Sequence, residues 1–178
     1  MNKNQIEVRP VGAHEIQDLH LLAKRTFLEA FSLQNTPEDM AAYSEQAFCY
    51  GAIEAEFLNP DSTFFFAVCS TKIIGYLKLN RGAAQTEHKL ENALEIERIY
   101  ITAEFQGGGV GQALLQKAFD ISRQDNYDWL WLGVWEQNPG AIRFYQRHGF
   151  VAFDSHAFLL GDDPQTDLLM RKKIHTQS

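Results

Sequence analysis

The stretch Gln106-Gly107-Gly108-Gly109-Val110-Gly111 determines how this chain is expected to fold. It follows a strand-like run from Glu95 to Ile101 and leads into a segment with apolar residues at helical spacing, which are Val110, Leu114, Ala118 and Ile121. The pattern predicts a strand, a glycine loop and a helix. Glycine permits positive φ and carries no side chain, so successive backbone N–H groups can converge on an anion at the start of the helix. A ligand that carries phosphate is therefore the first hypothesis.

The spacing of the glycines excludes two common phosphate-binding motifs. A dinucleotide fingerprint requires glycine at its first, third and sixth positions, and the sixth position counted from Gly107 is Gln112. A Walker loop requires Lys and then Ser or Thr after its last glycine, but Gln112 also follows Gly111. The pattern that fits is Gln/Arg-x-x-Gly-x-Gly/Ala, through Gln106, Gly109 and Gly111.

A second unit of the same kind begins about thirty residues further on. Trp129 to Trp135 is a nearly continuous apolar run, as is typical of a strand that is covered on both faces. Asn138 and Pro139 are suited to the cap and first turn of a helix, and Gly149 is suited to end it. The sequence therefore predicts a second strand, turn and helix.

The remaining patterns complete an α/β chain. They predict a strand over residues 6–10, a helix over 13–31 and another helix that begins at Pro37. A strand pair over 64–69 and 73–79 is followed by a polar loop over 81–92. Two last strands are predicted over 157–160 and 168–173.

The two glycine-containing units resemble the signatures of the GNAT family of acetyl-CoA-dependent N-acetyltransferases. The second signature is spelled Asn138-x-x-Ala141-x-x-Phe144-Tyr145-x-x-x-Gly149-Phe150. Three further segments, Phe31 to Phe48, Leu94 to Ile101 and His156 to Asp167, resemble the PaiA-type polyamine N-acetyltransferases, so the resemblance covers essentially the whole chain. It implies one domain over residues 1–178, a GNAT fold whose mixed, twisted sheet has helices on both faces, and spermidine or spermine as substrate.

The resemblance also implies the residues that bind acetyl-CoA as cosubstrate. The glycine loop would hold the CoA pyrophosphate, and main-chain groups of Ile99 and Ile101 would face the pantetheine arm and the acetyl carbonyl. Gln106 stands where arginine is frequent in the family, which removes one cation near the phosphates. The expected set is Ile99, Tyr100, Ile101, Gln106, Gly107, Gly108, Gly109, Val110, Gly111, Gln112, Asn138, Pro139, Gly140 and Arg147, of which Arg147 is equally compatible with a solvated helix charge.

Direct transfer to an amine requires a proton acceptor. An alkylammonium has a pKa of ~10.4, so a base must remove a proton before the nitrogen can attack the thioester. Glu95 and Glu97 are candidates, and Glu97 is favoured; the alternative is a solvated or ion-paired carboxylate. Strand alternation places Glu95 and Glu97 on the face opposite to Arg98 and Tyr100, although a bulge here would reverse the facing beyond it.

The resemblance assigns a second catalytic role to Tyr145, which would protonate the departing CoA thiolate. A thiol has a pKa of about 8.5, so the acid contributes a factor of about 10²–10⁴ at most. The alternative is a tyrosine that only packs. Family helices over Phe27 to Tyr50 would cover the acceptor pocket, where the aromatic residues Phe27, Phe31, Tyr43 and Phe48 are also explained by ordinary core packing.

Charge and composition restrict the partners. The net charge is −7, and the one dense basic cluster is Arg171 to Lys173, which argues against nucleic acid as substrate. Acidic character suits a polycationic amine but is also ordinary for a cytoplasmic protein. The longest apolar stretch, Phe64 to Cys69, is too short to span a membrane, and residues 1–5 lack the features of a signal peptide. A cytoplasmic location is expected.

No metal site is expected, because Cys49 and Cys69 are isolated and the histidines lack ligand spacing. Two other functions stay open. One is acetylation of a protein N-terminus or lysine, and the other is a regulatory CoA-binding module without turnover. A homodimer is compatible with the sequence.

Overall fold

The computed structural model describes residues 6–31, 36–160 and 163–174. Residues 32–35 and 161–162, which belong to two segments that resemble polyamine acetyltransferases, lie outside the described residues. The helices are α1 (Ile16–Phe31), α2 (Pro37–Ala47), α3 (Tyr50–Leu58), α4 (Val110–Gln124) and α5 (Pro139–Arg147). The strands are β1 (Ile6–Pro10), β2 (Ser62–Cys69), β3 (Lys72–Asn80), β4 (Ala93–Ile101), β5 (Trp129–Trp135), β6 (Val151–Leu160) and β7 (Asp163–Lys173).

Within these ranges, seven strands form one sheet in the order β1-β2-β3-β4-β5-β7-β6. The pairing is antiparallel except between β4 and β5, which run parallel. The parallel pairing joins only residues 93–96 to residues 129–132, whereas β4 continues to Ile101 and β5 to Trp135. The carboxyl-terminal halves of the two central strands therefore separate and leave an opening in the sheet.

A β-bulge lies on β4 where this opening begins. On β3, Lys78 pairs with Arg98 and Leu79 pairs with Ile96, so Glu97 is an extra residue without its own partner. Glu97 contacts Lys78, and Arg98 contacts Glu56 of α3, so both side chains face the α1–α3 side of the sheet. Of the two arrangements that the sequence left open, the structure has the one with a bulge, and regular alternation, which would place Arg98 opposite Glu97, does not hold.

Each face of the sheet is covered by helices. On one face, α4 and α5 bury an apolar core that includes Ile96, Leu114 and Leu132. On the other, α1, α2 and α3 bury a second core that includes Leu19, Ile53 and Phe66. In the described part of the chain, none of the helices is long and apolar enough to cross a membrane.

Most element positions agree with the sequence patterns. The mixed sheet with helices on both faces is as predicted, and the strand–loop–helix units are found at β4–α4 and β5–α5. Helix α3 was not predicted, since Tyr50–Leu58 has apolar residues on several sides and no clear stripe. Strand β6 begins at Val151 and not at Ala157, because long antiparallel pairing with β7 extends it through polar residues.

Candidate active site

The opening between β4 and β5 holds a cavity of about 480 Å³. Both predicted catalytic residues, Glu97 and Tyr145, line it. Five of the predicted cofactor-binding residues also line it, and these are Ile99, Tyr100, Ile101, Gln106 and Asn138. The fold thus brings together residues from β4, the glycine loop and α5 that are up to about fifty positions apart in the sequence.

The other predicted cofactor-binding residues do not line this cavity: Gly107, Gly108, Gly109, Val110, Gly111, Gln112, Pro139, Gly140 and Arg147. The first six continue from Gln106 into the first turn of α4. Arg147 is exposed in the last turn of α5, on the far end of that helix from Asn138.

The glycine loop presents unpaired backbone donors. Gly107 and Gly109 have φ of 76° and 89°, a left-handed conformation that glycine adopts without the strain of a Cβ. Gly109 caps α4, and the first hydrogen bond of the helix joins the Ala113 N–H to its carbonyl at 3.1 Å. Among the described residues, no acceptor pairs with the N–H groups of Gly107 or residues 109–112. Converging free N–H groups at the positive end of a helix form a site for an anion.

The exposed edge of β4 offers main-chain groups to the opening. The Thr102 N–H donates to the Ile74 carbonyl of β3 at 3.0 Å, and alternate residues of an antiparallel strand point their main-chain groups at the same neighbour. Ile99 and Ile101 therefore point their N–H and C=O groups away from β3 and into the opening. The Gln106 Nε2 donates to the Ile101 carbonyl at 3.3 Å on that side, while both isoleucine side chains pack in the core.

Tyr145 is positioned by the second strand–turn–helix unit. The Asn138 side chain accepts a hydrogen bond from the Ala141 N–H at 3.0 Å, which caps α5 next to Pro139 at its first turn. The Tyr145 ring packs edge-on against Phe144 and Phe150, with centroids 5.2 and 5.7 Å away. Burial raises the pKa of Tyr145, so the phenol is protonated at neutral pH.

Glu97 belongs to a buried charge cluster made of Glu56, Lys78, Glu97 and Arg98. The Lys78 ammonium lies 3.1 Å from Glu56 and 2.5 Å from Glu97, and the Arg98 guanidinium contacts the same two carboxylates at 2.7 and 3.0 Å. Burial alone would raise the pKa of Glu97, but the charges of Arg98 and Lys78 outweigh it and lower that pKa below its ordinary value. A carboxylate of low pKa is a weak proton acceptor at neutral pH.

Glu95, the other candidate base, is saturated with hydrogen bonds. Its carboxylate accepts from the Thr86 N–H at 2.8 Å, from the Thr86 hydroxyl and from the Asn80 amide at 3.2 Å. Burial raises the pKa of Glu95, and the hydrogen bonds from Thr86 partly offset that effect. Glu95 thus serves to tie the loop before β4 to the wall of the cavity.

Asp167 of β7 is a site residue that the sequence patterns did not single out. It lines the same cavity as Tyr145, and its Oδ2 lies 3.3 Å from where a Cβ on Gly133 of β5 would be. Burial raises the pKa of Asp167 to about 6, against a smaller opposing effect of His156. A glycine on one strand facing a carboxylate on the next could have indicated this residue. That relation can be seen only when the register between β5 and β7 is known.

Aromatic rings form the wall of the cavity on the side of α1 and α2. Phe27 stacks against Tyr43 and Phe48, with centroids 5.2 and 4.7 Å away. Phe31 and Trp135 also meet, at 5.8 Å. The cavity is lined by the four aromatic residues of the predicted acceptor region, Phe27, Phe31, Tyr43 and Phe48. It is also lined by Trp131 and Trp135 of β5, which the sequence indicated only as strand residues.

No three His, Cys, Asp or Glu side chains in the described ranges are grouped so that they could hold a metal ion. The cavity offers hydrogen-bond donors, aromatic faces, carboxylates and the phenols of Tyr43, Tyr100 and Tyr145 as its chemical groups.

Comparison with known proteins identifies the class to which this fold and site belong. The model of the acetyltransferase (GNAT) family matches residues 18–150, and the chain belongs to that family. It is an N-acetyltransferase that uses acetyl-CoA as cosubstrate. The family match includes both the glycine loop and the helix that carries Tyr145.

Three individual proteins illustrate the similarity. An uncharacterised N-acetyltransferase of Lactobacillus delbrueckii subsp. lactis is 37% identical over 95% of this chain and 98% of its own length. The PaiA N-acetyltransferase of Thermoplasma acidophilum, solved with coenzyme A, superposes with a TM-score of 0.77 at 22% identity over 94% of this chain and 98% of its own. The spermidine N-acetyltransferase of Vibrio cholerae, solved with CoA and spermine, gives a TM-score of 0.67 at 19% identity over 97% of each chain.

The raised pKa of Asp167 predicts a pH-dependent effect on stability. The folded state holds a proton on Asp167 up to about pH 6, whereas the unfolded chain releases it near the ordinary value of 3.8, so stability falls as pH rises through this window. Asp167→Asn removes the charge, and we expect its free energy of unfolding to exceed that of the wild type by roughly 1–3 kcal/mol at pH 8, with no gain at pH 4. Urea unfolding at both pH values measures this difference.

Asp154→Asn is the matched control on β6. Lys89 lies 2.6 Å from the Asp154 carboxylate, and this hydrogen bond lowers the pKa of Asp154. Its replacement should therefore give no gain in stability at pH 8. Equal changes for both variants would contradict the assignment of a strained carboxylate to position 167.

Proposed function

We propose that this enzyme transfers the acetyl group of acetyl-CoA to a primary amine of a polyamine such as spermidine or spermine, in one ternary complex. The observation that carries the proposal is the cavity beside Tyr145, in which aromatic walls face several carboxylates. Its volume of about 480 Å³ lies within the ~300–1,000 Å³ that is typical of small-molecule sites.

The composition of the cavity suits a flexible cation. Among the described residues that line it, Glu87, Glu95, Glu97 and Asp167 are acidic, and Arg98 is the one Arg or Lys. Because the Arg98 guanidinium is already bound to Glu56 and Glu97, it does not cancel the remaining carboxylates. Aromatic faces attract ammonium groups, and a negative potential raises the local concentration of cations.

The cofactor half of the proposal assigns the unpaired N–H groups of the glycine loop to the CoA pyrophosphate. The main-chain groups of Ile99 and Ile101 would then receive the pantetheine arm, which runs along the open edge of β4 towards Tyr145. Asn138, Pro139 and Gly140 at the start of α5 would border the same groove, and Arg147 would approach a CoA phosphate. In this arrangement the backbone N–H groups alone bind the phosphates, because position 106 carries glutamine and not arginine.

The chemistry follows from this arrangement. The amine nitrogen attacks the thioester carbonyl, a tetrahedral oxyanion forms beside the main chain of β4, and the C–S bond breaks. Tyr145 gives its proton to the departing sulfur. The role of Glu97 as proton acceptor stays a prediction; its lowered pKa favours a part in holding Lys78 and Arg98 in place.

The proposed setting is cytoplasmic, with a small amine as partner and neither nucleic acid nor a membrane. Cys49 and Cys69 are both free thiols, which is compatible with a reducing compartment. A homodimer stays a prediction.

Release of CoA thiol tests the function. Purified enzyme is mixed with acetyl-CoA and, separately, with spermidine, spermine, putrescine, a lysine-containing peptide and a peptide with a free N-terminus. Thiol release with the polyamines, and an acetylated polyamine in the mass spectrum, are the expected results. Turnover on the peptides alone would favour a protein acetyltransferase, and binding of acetyl-CoA without thiol release would favour a regulatory module.

Tyr145→Phe tests the acid. The phenol packs among apolar rings, so removal of its hydroxyl should leave the fold intact and lower kcat by up to about 10²-fold, near the lower end for general acid catalysis because thiolate is a fair leaving group. The Kd of acetyl-CoA, measured by calorimetry, should change little. Unchanged kcat would remove the assignment of Tyr145 as the acid.

Gly109→Ala tests the pyrophosphate site. A Cβ in the left-handed conformation costs about 1–2 kcal/mol, and relief of that strain would turn the N–H groups of the loop away from their common point. We expect the Kd of acetyl-CoA to rise by roughly 5–30-fold in calorimetry. Gly51→Ala on α3, where an added Cβ meets nothing within 4 Å, is the matched control and should leave the Kd unchanged. If Gly109→Ala leaves the Kd of acetyl-CoA unchanged as well, the diphosphate binds elsewhere.

A further inference from the structure

Asp167 lies on β7, which pairs with β5 on the side away from β4, and it lines the cavity. It pairs with Trp135 of β5 on one side and with His156 of β6 on the other. Its carboxylate lies over Gly133, a residue of β5 beyond the four that pair with β4. Because glycine carries no side chain, the carboxylate reaches the cavity across this position. Any larger residue at 133 would meet the Asp167 Oδ2 at about 3.3 Å.

The other carboxylates of the cavity are already engaged. Glu95 accepts three hydrogen bonds from Asn80 and Thr86, and Glu97 contacts two cations. Glu87 lies 2.5 Å from the His156 Nδ1. Among the described residues, no donor and no cation lies within hydrogen-bonding or ion-pairing distance of the Asp167 carboxylate. The Asp167 carboxylate is half-buried, so partial loss of solvent already disfavours its charge, and an incoming ammonium group would supply the missing partner.

We propose that Asp167, and not Glu97, binds the ammonium group of the acceptor amine and takes its proton, a role that rests on the amine acetyltransferase activity proposed above. One N–H bond breaks, and the proton moves to a carboxylate oxygen of Asp167. The neutral nitrogen then attacks the thioester, and sulfur leaves with the Tyr145 proton. The nitrogen returns a second proton to Tyr145, and Asp167 releases its proton to water, so one proton is produced for each amide formed.

The environment of Asp167 suits this exchange at neutral pH. Burial raises the pKa of Asp167 to about 6, so the group is ionised at pH 7 and yet accepts a proton more readily than an ordinary carboxylate. The titratable and charged groups that share its cavity are Glu87 on the loop before β4, Glu95, Glu97, Arg98 and Tyr100 on β4, His156 on β6, Tyr43 on α2 and Tyr145 on α5. Of these, His156 is the group whose charge opposes the effect of burial on Asp167.

The pH dependence of kcat/KM distinguishes the candidates. Wild-type enzyme acting on whichever primary amine it acetylates should lose activity below a midpoint near pH 6. If Glu97 were the base, the midpoint would lie below 4.5, since its pKa is lowered from that value. We expect Asp167→Asn to lower kcat/KM by about 10²–10⁴-fold. It should also abolish the loss of activity at low pH, which is the acidic limb of the profile. The conservative variant Asp167→Glu should keep the limb and recover part of the activity.

Three further variants complete the comparison. Glu97→Gln and His156→Gln should each retain an acidic limb near pH 6, whatever their effect on the rate. Asp154→Asn, on β6 outside the cavity, should resemble the wild type. The proposal is overturned if Asp167→Asn keeps the limb, or if the limb disappears in Glu97→Gln or in His156→Gln.

A titration independent of turnover covers the case in which Asp167→Asn fails to fold. The chemical shift of the Asp167 carboxyl carbon, assigned through the backbone of that residue, is followed against pH by NMR in the wild type bound to CoA. We expect this carboxyl group to titrate near pH 6. A midpoint below 4.5 would overturn the proposal. Failure of the two proposals is distinguishable. A wild type that releases no thiol with any amine refutes the proposed function, whereas active enzyme with an unaltered limb in Asp167→Asn refutes only the role of Asp167.

Discussion

The short parallel pairing between β4 and β5 is the constraint on which the rest of the structure depends. A continuous sheet would satisfy its main-chain groups internally and leave no interior for a ligand. Here the pairing stops after residues 93–96 and 129–132, and the edge of β4 beyond Ile96 is left open. Helices α4 and α5 follow directly from the two diverging strands, so their amino-terminal ends lie on either side of the opening. One local loss of hydrogen bonds thus produces both the cavity and the open strand edge to which we assign the acceptor and the cofactor.

The bulge at Glu97 determines which charges enter that cavity. The extra residue places Glu97 beside Lys78 and Arg98 on one face, and it returns Ile99 to the apolar core on the other. The result is a buried set of two acids and two bases that is locally neutral. A neutral set of this kind would not repel the cationic substrate that we propose, whereas an isolated Arg98 would.

The sequence was most informative where function depends on local spacing. The glycine loop and the capped helix with Tyr145 are short, contiguous patterns, and both their structure and the family followed from them. Glu97 was predicted as a candidate base and lines the cavity, but its partners could not be predicted, because Lys78 lies on another strand and the bulge is defined only by pairing. Asp167 was missed for the same reason. Its relation to Gly133 exists across a strand register, and thirty-four positions of sequence separate the two residues.

The unpaired state of Asp167 also bears on product release. A half-buried carboxylate without a partner lowers the stability of the folded protein, and a functional site can keep such a cost when ligand binding removes it. On the proposed mechanism, the substrate arrives as an ammonium ion and is attracted by that carboxylate, whereas the acetylated nitrogen is a neutral amide. Acetylation therefore removes the charge that held the substrate in place. The same residue that accepts the proton would then favour the exchange of product for a new cation, without any movement of the fold.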